Sequence, residues 1–125
     1  LIDLPPGSGE PQQTLVENLA IDGVIAVTTP QDLSLMDTGR SLGLYRKAGI
    51  SVLGVVENMA YLDCPHCHER VNVFHESDRS WVVRDADLPL LAQLPMAPDL
   101  SRPVTPEAVP SQFRDLAEAV LARLN

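Results

Sequence analysis

The sequence predicts an α/β fold in which helices pack against a parallel sheet. Short apolar runs rich in Val, Ile and Leu alternate along the chain with segments of helical periodicity. Apolar runs without a polar alternation are typical of parallel strands that are covered on both faces. The order strand, helix, strand, helix, strand also requires crossover connections, which are right-handed in parallel sheets.

The first elements are expected to be a strand end and a short helix. Leu1–Leu4 has the pattern of the end of a buried strand, and Pro5–Gly9 has that of a stiff turn followed by flexible positions. Asp3 has two interpretations, as a carboxylate that holds the water shell of Mg²⁺ beside a nucleotide phosphate or as an ordinary strand-end cap. A helix with Pro11 in its first turn is expected to bury Leu15, Val16 and Leu19.

The second strand and the helix after it are expected between residues 24 and 49. Val24–Val27 is predicted to be a short buried strand. Thr29 as N-cap, Pro30 in the first turn and Asp32 three residues after the cap resemble a capping box, so a helix is expected to begin here. It ends at Gly49 after two basic residues, which suit the negative end of a helix dipole. The inward side of this helix is predicted to contain Leu33, Met36, Leu42 and Leu44.

The segment Ser51–Cys67 is the feature around which the chain is organised. Its apolar run, Val52–Val56, is predicted to be the central strand, and Asn58 lies just beyond that run. Because ligands bind at the carboxyl ends of strands in open α/β sheets, a ligand site is expected here. Cys64 and Cys67 are the only cysteines, and their spacing lets both thiolates turn toward one metal ion.

The remaining elements are a hairpin, a strand and a helix. Polar and apolar residues alternate from Arg70 to Phe74, which predicts a small hairpin arm around a metal loop at about residues 61–76. A last short strand is predicted at Pro89–Pro95, followed by a proline-rich loop over residues 95–110. A terminal helix is predicted over residues 111–124, where apolar residues recur at intervals of three and four.

The composition limits the classes of function. Hydrophobic residues make up 45% of the 125 residues, which is enough for a packed core. With 17 acidic and 9 basic residues the net charge is −8, and the lack of a Lys/Arg-rich run argues against nucleic acid or an anionic membrane as a partner. No apolar run approaches the roughly 20 residues of a membrane span. Two cysteines in one C-x-x-C suit a reducing compartment, so a cytoplasmic location is expected.

The C-x-x-C supplies two of the about four ligands that structural zinc and [4Fe–4S] clusters require. His66 and His68 could complete a zinc site within one chain, although a residue adjacent to Cys67 can hardly turn to the same ion. A second copy of the chain would instead supply two further cysteines across a two-fold axis. A redox dithiol and a pair of inert buried cysteines are the remaining alternatives. The dithiol is disfavoured because that chemistry places the first cysteine at a helix start.

Four motifs in order resemble a known family. They are I-D-L-P-P-G-S-G at Ile2–Gly9, V-T-T-P-Q-D at Val27–Asp32, G-V-V-E-N-M at Gly54–Met59 and C-P-H-C at Cys64–Cys67. Together they resemble the Mrp/ApbC iron–sulfur cluster carrier ATPases of the MinD/ParA-like branch of P-loop proteins. The resemblance implies a three-layer, P-loop NTPase-like parallel-sheet fold with a small cysteine-bearing hairpin insertion. It also implies that residues 1–125 are the C-terminal part of a single ATPase domain.

The resemblance assigns nucleotide roles to five residues. Asp3 would organise Mg²⁺ and its water, and Gly7 would belong to the switch that senses the phosphate. Asn58 would face the adenine of ATP, with Pro95 and Met96 lining the base. The family's glycine-rich lysine loop, G-x-x-x-x-G-K-[ST] or a related form, is not found in these 125 residues. The phosphate cradle is therefore expected upstream of residue 1, and the chain alone is expected to be inactive as an ATP hydrolase.

The resemblance also implies that Cys64 and Cys67 ligate a [4Fe–4S] cluster, with zinc as the other possible metal. A homodimer would bridge the cluster, receive it from donors and pass it to client apoproteins. The sequence departs from the family pattern at Glu10 and Ala97, where an Asp is usual or frequent, and at His75–Trp81, which replaces a glycine-rich run. The alternative functions are a MinD/ParA-like positioning ATPase without a cluster and a zinc-stabilised interaction domain.

Overall fold

The structure is a computed structural model that describes residues 1–74, 87–97, 105 and 108–124. Part of the predicted metal loop, residues 75–76, and most of the predicted proline-rich loop lie outside the described residues. None of the described helices has both the length and the apolar character needed to cross a bilayer. The elements in chain order are α1 (Glu10–Asn18), β1 (Val24–Thr28), α2 (Asp32–Lys47), β2 (Val52–Asp63), β3 (Arg70–Val71), β4 (Leu90–Pro95) and α3 (Ser111–Leu124).

Strand β2 is the centre of the sheet. It pairs in parallel with β1 on one side and with β4 on the other. The far end of β2 continues past both neighbours and turns back as β3, with the antiparallel pairs Leu62–Val71 and Asp63–Arg70. The predicted α/β fold with a parallel sheet, its central strand and its cysteine-bearing hairpin are therefore confirmed.

The core lies between β2 and the helix that precedes it. Val55 and Val56 point to opposite faces of β2, yet they are only 1% and 2% exposed, so the strand is covered on both faces. On one face, Ala26 and Val55 pack with Leu35 and Leu42 of α2 in a single cluster. This packing explains why the central run contains no polar alternation.

The predicted inward side of α2 was wrong in part. Leu33 is 72% exposed and Met36 is 50% exposed, whereas Leu42 is buried as predicted. The helix begins at Asp32 with Gln31 as N-cap, and neither Thr29 nor any other side chain caps it. An α-helix has 3.6 residues per turn, so the residues that face the sheet follow one another at intervals of three and four. In α2 this series begins at Leu35. The buried residues of α2 are Leu35, Thr38, Leu42 and Tyr45.

The N-terminal expectations also need correction. Leu1–Leu4 forms no strand, and Leu1 and Ile2 are exposed. A strand requires a neighbour to receive its backbone hydrogen bonds, and β1 is paired only with β2 among the described residues. Leu19, the C-cap of α1, is exposed, Leu15 and Val16 are half-buried, and the buried side chain of the helix is the polar Gln12. The terminal helix α3, in contrast, has the bounds that its periodicity predicts.

Gly54 of β2 is expected to tolerate no side chain. Its φ is +156°, and a Cβ atom there would lie 2.6 Å from Leu91 Cγ and 2.7 Å from the carbonyl oxygen of Pro89. We expect Gly54→Ala to lower the free energy of unfolding by about 2 kcal/mol or more, because β4 would have to move away from β2. Urea unfolding measures the change. Gly43→Ala is the matched control, since a Cβ on that helical residue meets nothing within 4 Å, and an equal loss in both variants would contradict the explanation.

Candidate functional site

The carboxyl edge of β2 contains a bulge. The pairs Glu57–Gln93 and Tyr61–Pro95 leave three residues of β2 opposite one residue of β4. Met59, in the middle of the three, has φ of 55°, in the left-handed region that non-glycine residues rarely occupy. Bulges of this kind redirect side chains and are frequent beside functional sites. The bulge therefore changes the direction of the chain where the sequence predicts a ligand edge.

Asn58 is the first residue of this bulge and is half-buried. Its Oδ1 accepts a hydrogen bond of 2.9 Å from the backbone N–H of Met59. Because a backbone N–H can only donate, this bond requires the amide oxygen, rather than the nitrogen, to face it. The Nδ2 group of Asn58 is thus the part of the amide that can donate to a ligand.

Pro95 and Met96 follow β4 beside the bulge. The N–H of Met96 donates to the carbonyl oxygen of Tyr61 across 2.7 Å, and proline has no N–H. The backbone of this pair can therefore offer a ligand only carbonyl acceptors. The structure brings Asn58, Pro95 and Met96 to the same edge of the sheet, on the two adjacent strands β2 and β4.

Asp3 and Gly7 belong to a separate segment. Asp3 is exposed. Gly7 has φ of +100°, and its carbonyl oxygen accepts a hydrogen bond of 2.9 Å from Ser41 Oγ of α2. Gln12 of α1 donates from Nε2 to the carbonyl oxygen of Pro5, so both helices hold this loop. Sequence reasoning missed Ser41 and Gln12, and no local pattern marks either residue.

The two cysteines lie in the turn of the β2–β3 hairpin. The N–H of Cys64 donates to the carbonyl oxygen of Glu69 at 3.0 Å, and the N–H of His68 donates to that of Cys64 at 2.9 Å. Cys64 is half-buried, Cys67 is exposed, and both are free thiols. The turn thus presents two unlinked sulfur atoms at the end of the central strand.

Hydrogen bonds favour the thiolate form of the first cysteine. The backbone N–H of Cys67, then that of His66 and the thiol of Cys67, lower the pKa of Cys64 below its usual value. The thiolate is the form that binds metals. Within the described part of the chain, no group of three or more His, Cys, Asp or Glu side chains is arranged to hold a metal ion. The turn thus contributes two potential thiolate ligands.

Two further pairs escaped the sequence analysis. The guanidinium carbon of Arg70 lies 3.6 Å from the ring centroid of Tyr61, so a cation–π contact fastens β3 to the end of β2. Glu57 is buried in β2, and its Oε2 accepts a hydrogen bond of 2.7 Å from Gln93 Nε2. The sequence did offer a signal for the Glu57–Gln93 pair, because Glu57 is an acidic residue that directly follows the apolar run Val52–Val56.

Comparisons with known proteins place the chain in a family. The family model described as "ParA: NUBPL iron-transfer P-loop NTPase" matches residues 1–118. An iron–sulfur cluster carrier protein of Pyrococcus horikoshii is 35% identical over 99% of this chain and 45% of its own length. A cytosolic Fe-S cluster assembly factor NUBP2 homolog of Nematostella vectensis is 40% identical over 81% of this chain and 38% of its own length.

A solved structure gives the same result for the fold. A nucleotide-binding protein of Archaeoglobus fulgidus, in complex with ADP, matches with a TM-score of 0.51 and 28% identity over 82% of this chain and 36% of its own length. The chain thus spans less than half the length of these relatives. The predicted resemblance to Mrp/ApbC-type carriers and the P-loop NTPase-like fold class are confirmed. The chain belongs to the ParA family of NUBPL-type iron-transfer P-loop NTPases.

Proposed function

We propose that this chain is the C-terminal part of an ATP-dependent iron–sulfur cluster carrier, which transfers its cluster from donors to apoproteins. The observation that carries the proposal is the cysteine turn at the end of β2, where N–H groups favour the thiolate of Cys64 and Cys67 is exposed. The names of the relatives, which are iron–sulfur cluster carrier and assembly proteins, support the same cargo.

The cluster is held between two copies of the protein. One turn supplies two thiolates, and a [4Fe–4S] cluster requires about four. In a two-fold symmetric dimer the same residues meet across the axis, so Cys64 and Cys67 of both copies would complete the ligand set. Both histidines of the turn, His66 and His68, are exposed. With no group of three ligands among the described residues, a zinc site within one chain receives less support.

The nucleotide is ATP, because the chemistry of the β2–β4 edge complements adenine. Adenine presents an amino donor beside ring-nitrogen acceptors. Asn58 offers an Nδ2 donor, and the backbone of Pro95 and Met96 offers carbonyl acceptors. An adenine amino group would donate to one of those carbonyls while a ring nitrogen accepts from Asn58 Nδ2. This complementarity supports ATP as the nucleotide, and a comparison of ATP with GTP binding tests the preference.

Mg²⁺ is assigned to the N-terminal segment that contains Asp3 and Gly7. Asp3 has an exposed carboxylate, the type of ligand that Mg²⁺ prefers. When bound, the ion neutralises charge that develops on the transferred phosphoryl group. Gly7 lies in a loop held from α2 by Ser41, so a change in this loop would reach the helix beside the core. This connection supports the proposal that Gly7 belongs to a phosphate-sensing switch.

Anaerobic reconstitution of the complete protein with iron and sulfide tests the proposal. We expect a brown dimer with about one [4Fe–4S] cluster per two chains. Incubation with an apo-ferredoxin should then transfer the cluster, at a rate that depends on ATP. A colourless monomer with one zinc ion per chain would favour the interaction domain instead. Nucleotide binding without any cluster would favour a positioning ATPase.

The 125-residue chain by itself is expected to bind ATP weakly or not at all and to show no measurable hydrolysis. Phosphate affinity in P-loop proteins comes mostly from a loop whose N–H groups and Lys surround the β- and γ-phosphates. That loop is not among these residues, and Asn58, Pro95 and Met96 would contact only the base. Calorimetry with ATP and Mg²⁺ measures the affinity. Micromolar binding would show that the nucleotide site has been placed wrongly.

A further inference from the structure

Glu57 is a buried acidic residue that the proposed chemistry does not use. It is 5% exposed and directly follows the apolar core of β2. Burying a carboxylate is costly unless hydrogen bonds and charges compensate for the lost water. Replacing such a group by an apolar residue of similar volume is often neutral or even stabilising. Stability alone is therefore a weak explanation for an acidic residue at this position.

One hydrogen-bond donor for Glu57 comes from the neighbouring strand. Gln93 Nε2 lies 2.7 Å from Glu57 Oε2, and the two residues are direct partners in the parallel ladder of β2 and β4. On its other side Glu57 is in register with Thr28 of β1, which is also buried. A polar row therefore crosses three adjacent strands, one residue before Asn58. We call Glu57 and Gln93 the bulge clamp.

The bulge clamp lies at the start of the irregular segment. It is the last regular pair before the bulge, and the register resumes at Tyr61 and Pro95. That second point is held by the 2.7 Å hydrogen bond from the N–H of Met96 to the carbonyl of Tyr61. The bulge is therefore held at both ends, and Asn58 is the first residue inside it. A bulge disrupts the ladder hydrogen bonds locally, so the side-chain hydrogen bond between Glu57 and Gln93 adds a connection between the strands at the first end.

We infer that Glu57 and Gln93 are positioning residues for the nucleotide base. The hydrogen bond between them holds β2 and β4 in the register that sets the Asn58 amide beside the carbonyls of Pro95 and Met96. The clamp acts through these groups and does not touch the base. The inference rests on the proposed ATP site and adds the pair that makes this site selective for adenine.

Gln93→Glu in the complete protein is the test. It replaces the amide that donates to Glu57 by a second carboxylate, so the hydrogen bond is lost and two like charges on neighbouring strands repel. We expect the Kd for ATP to rise at least about tenfold and the preference for ATP over GTP to be lost. Affinity for tripolyphosphate, which has no base, should stay within about twofold. The exchanged pair, Glu57→Gln with Gln93→Glu, should restore the ATP affinity and the base preference.

Gln112→Glu on α3 is the matched control, because it adds the same charge by the same substitution elsewhere. If Gln93→Glu fails to fold, Gln93→Met removes the donor at similar volume and should shift base preference in the same direction. Unchanged base preference in a folded Gln93 variant would overturn the inference. Equal weakening of ATP and tripolyphosphate would also overturn it, by indicating a general structural role. No ATP binding by the unaltered protein would instead overturn the proposed function, and the inference with it.

Discussion

Replacing either cysteine, Cys64→Ala or Cys67→Ala, in the complete protein is expected to abolish cluster binding. Each substitution removes two of four thiolates from a cluster bridged by two copies, and the remaining two cannot hold it. Nucleotide affinity should stay within about twofold, because sites without shared contacts affect each other little. The turn lies beyond Tyr61, past the last residue of β2 that pairs with β4.

Iron and sulfide content after reconstitution, with size-exclusion chromatography, measures the effect. The matched control is His66→Ala, which keeps the backbone N–H that favours the Cys64 thiolate and removes only the exposed imidazole. This control should retain a full cluster. If His66→Ala loses the metal as completely as the cysteine variants, a zinc site that includes the histidine is the better explanation. A full cluster in either cysteine variant would contradict the assignment of the ligands.

Asp3→Asn in the complete protein is expected to slow Mg²⁺-dependent ATP hydrolysis by about a hundredfold or more. A carboxylate that holds the water shell of the metal mainly stabilises charge that develops in the transition state. ATP binding should change far less, since the proposal assigns the phosphate cradle and the base contacts to residues other than Asp3. Phosphate release under saturating ATP, with calorimetry for the Kd, separates the two effects.

Asp22→Asn is the control for this substitution, because Asp22 is another exposed aspartate and lies between α1 and β1. It should leave hydrolysis unchanged. Equal turnover in the Asp3 variant and the unaltered protein would exclude Asp3 from the Mg²⁺ site. In this structure Leu1–Leu4 forms no strand and Asp3 is exposed.

Local patterns predicted most of the fold. The apolar run Val52–Val56 identified the central strand because a strand with neighbours on both edges and cover on both faces needs apolar side chains at successive positions. The hairpin was predictable because its alternation and the C-x-x-C are contiguous in sequence. The inward face of α2 was predicted less well, since Leu33 and Met36 are apolar without being buried. Hydrophobicity gives the tendency to be buried, and only packing shows which face meets the sheet.

The sequence by itself determined the order of the elements from α1 onward, the central strand, the cysteine turn and the family, because these depend on local periodicity and on the spacing of motifs along the chain. Only the tertiary structure decided how the candidate sites are built. The Glu57–Gln93 hydrogen bond joins residues 36 positions apart, and the Ser41–Gly7 bond joins residues 34 apart. Each pair forms because strand pairing or helix packing brings distant segments together. No local sequence pattern predicts these hydrogen bonds, since each residue by itself is an ordinary polar side chain.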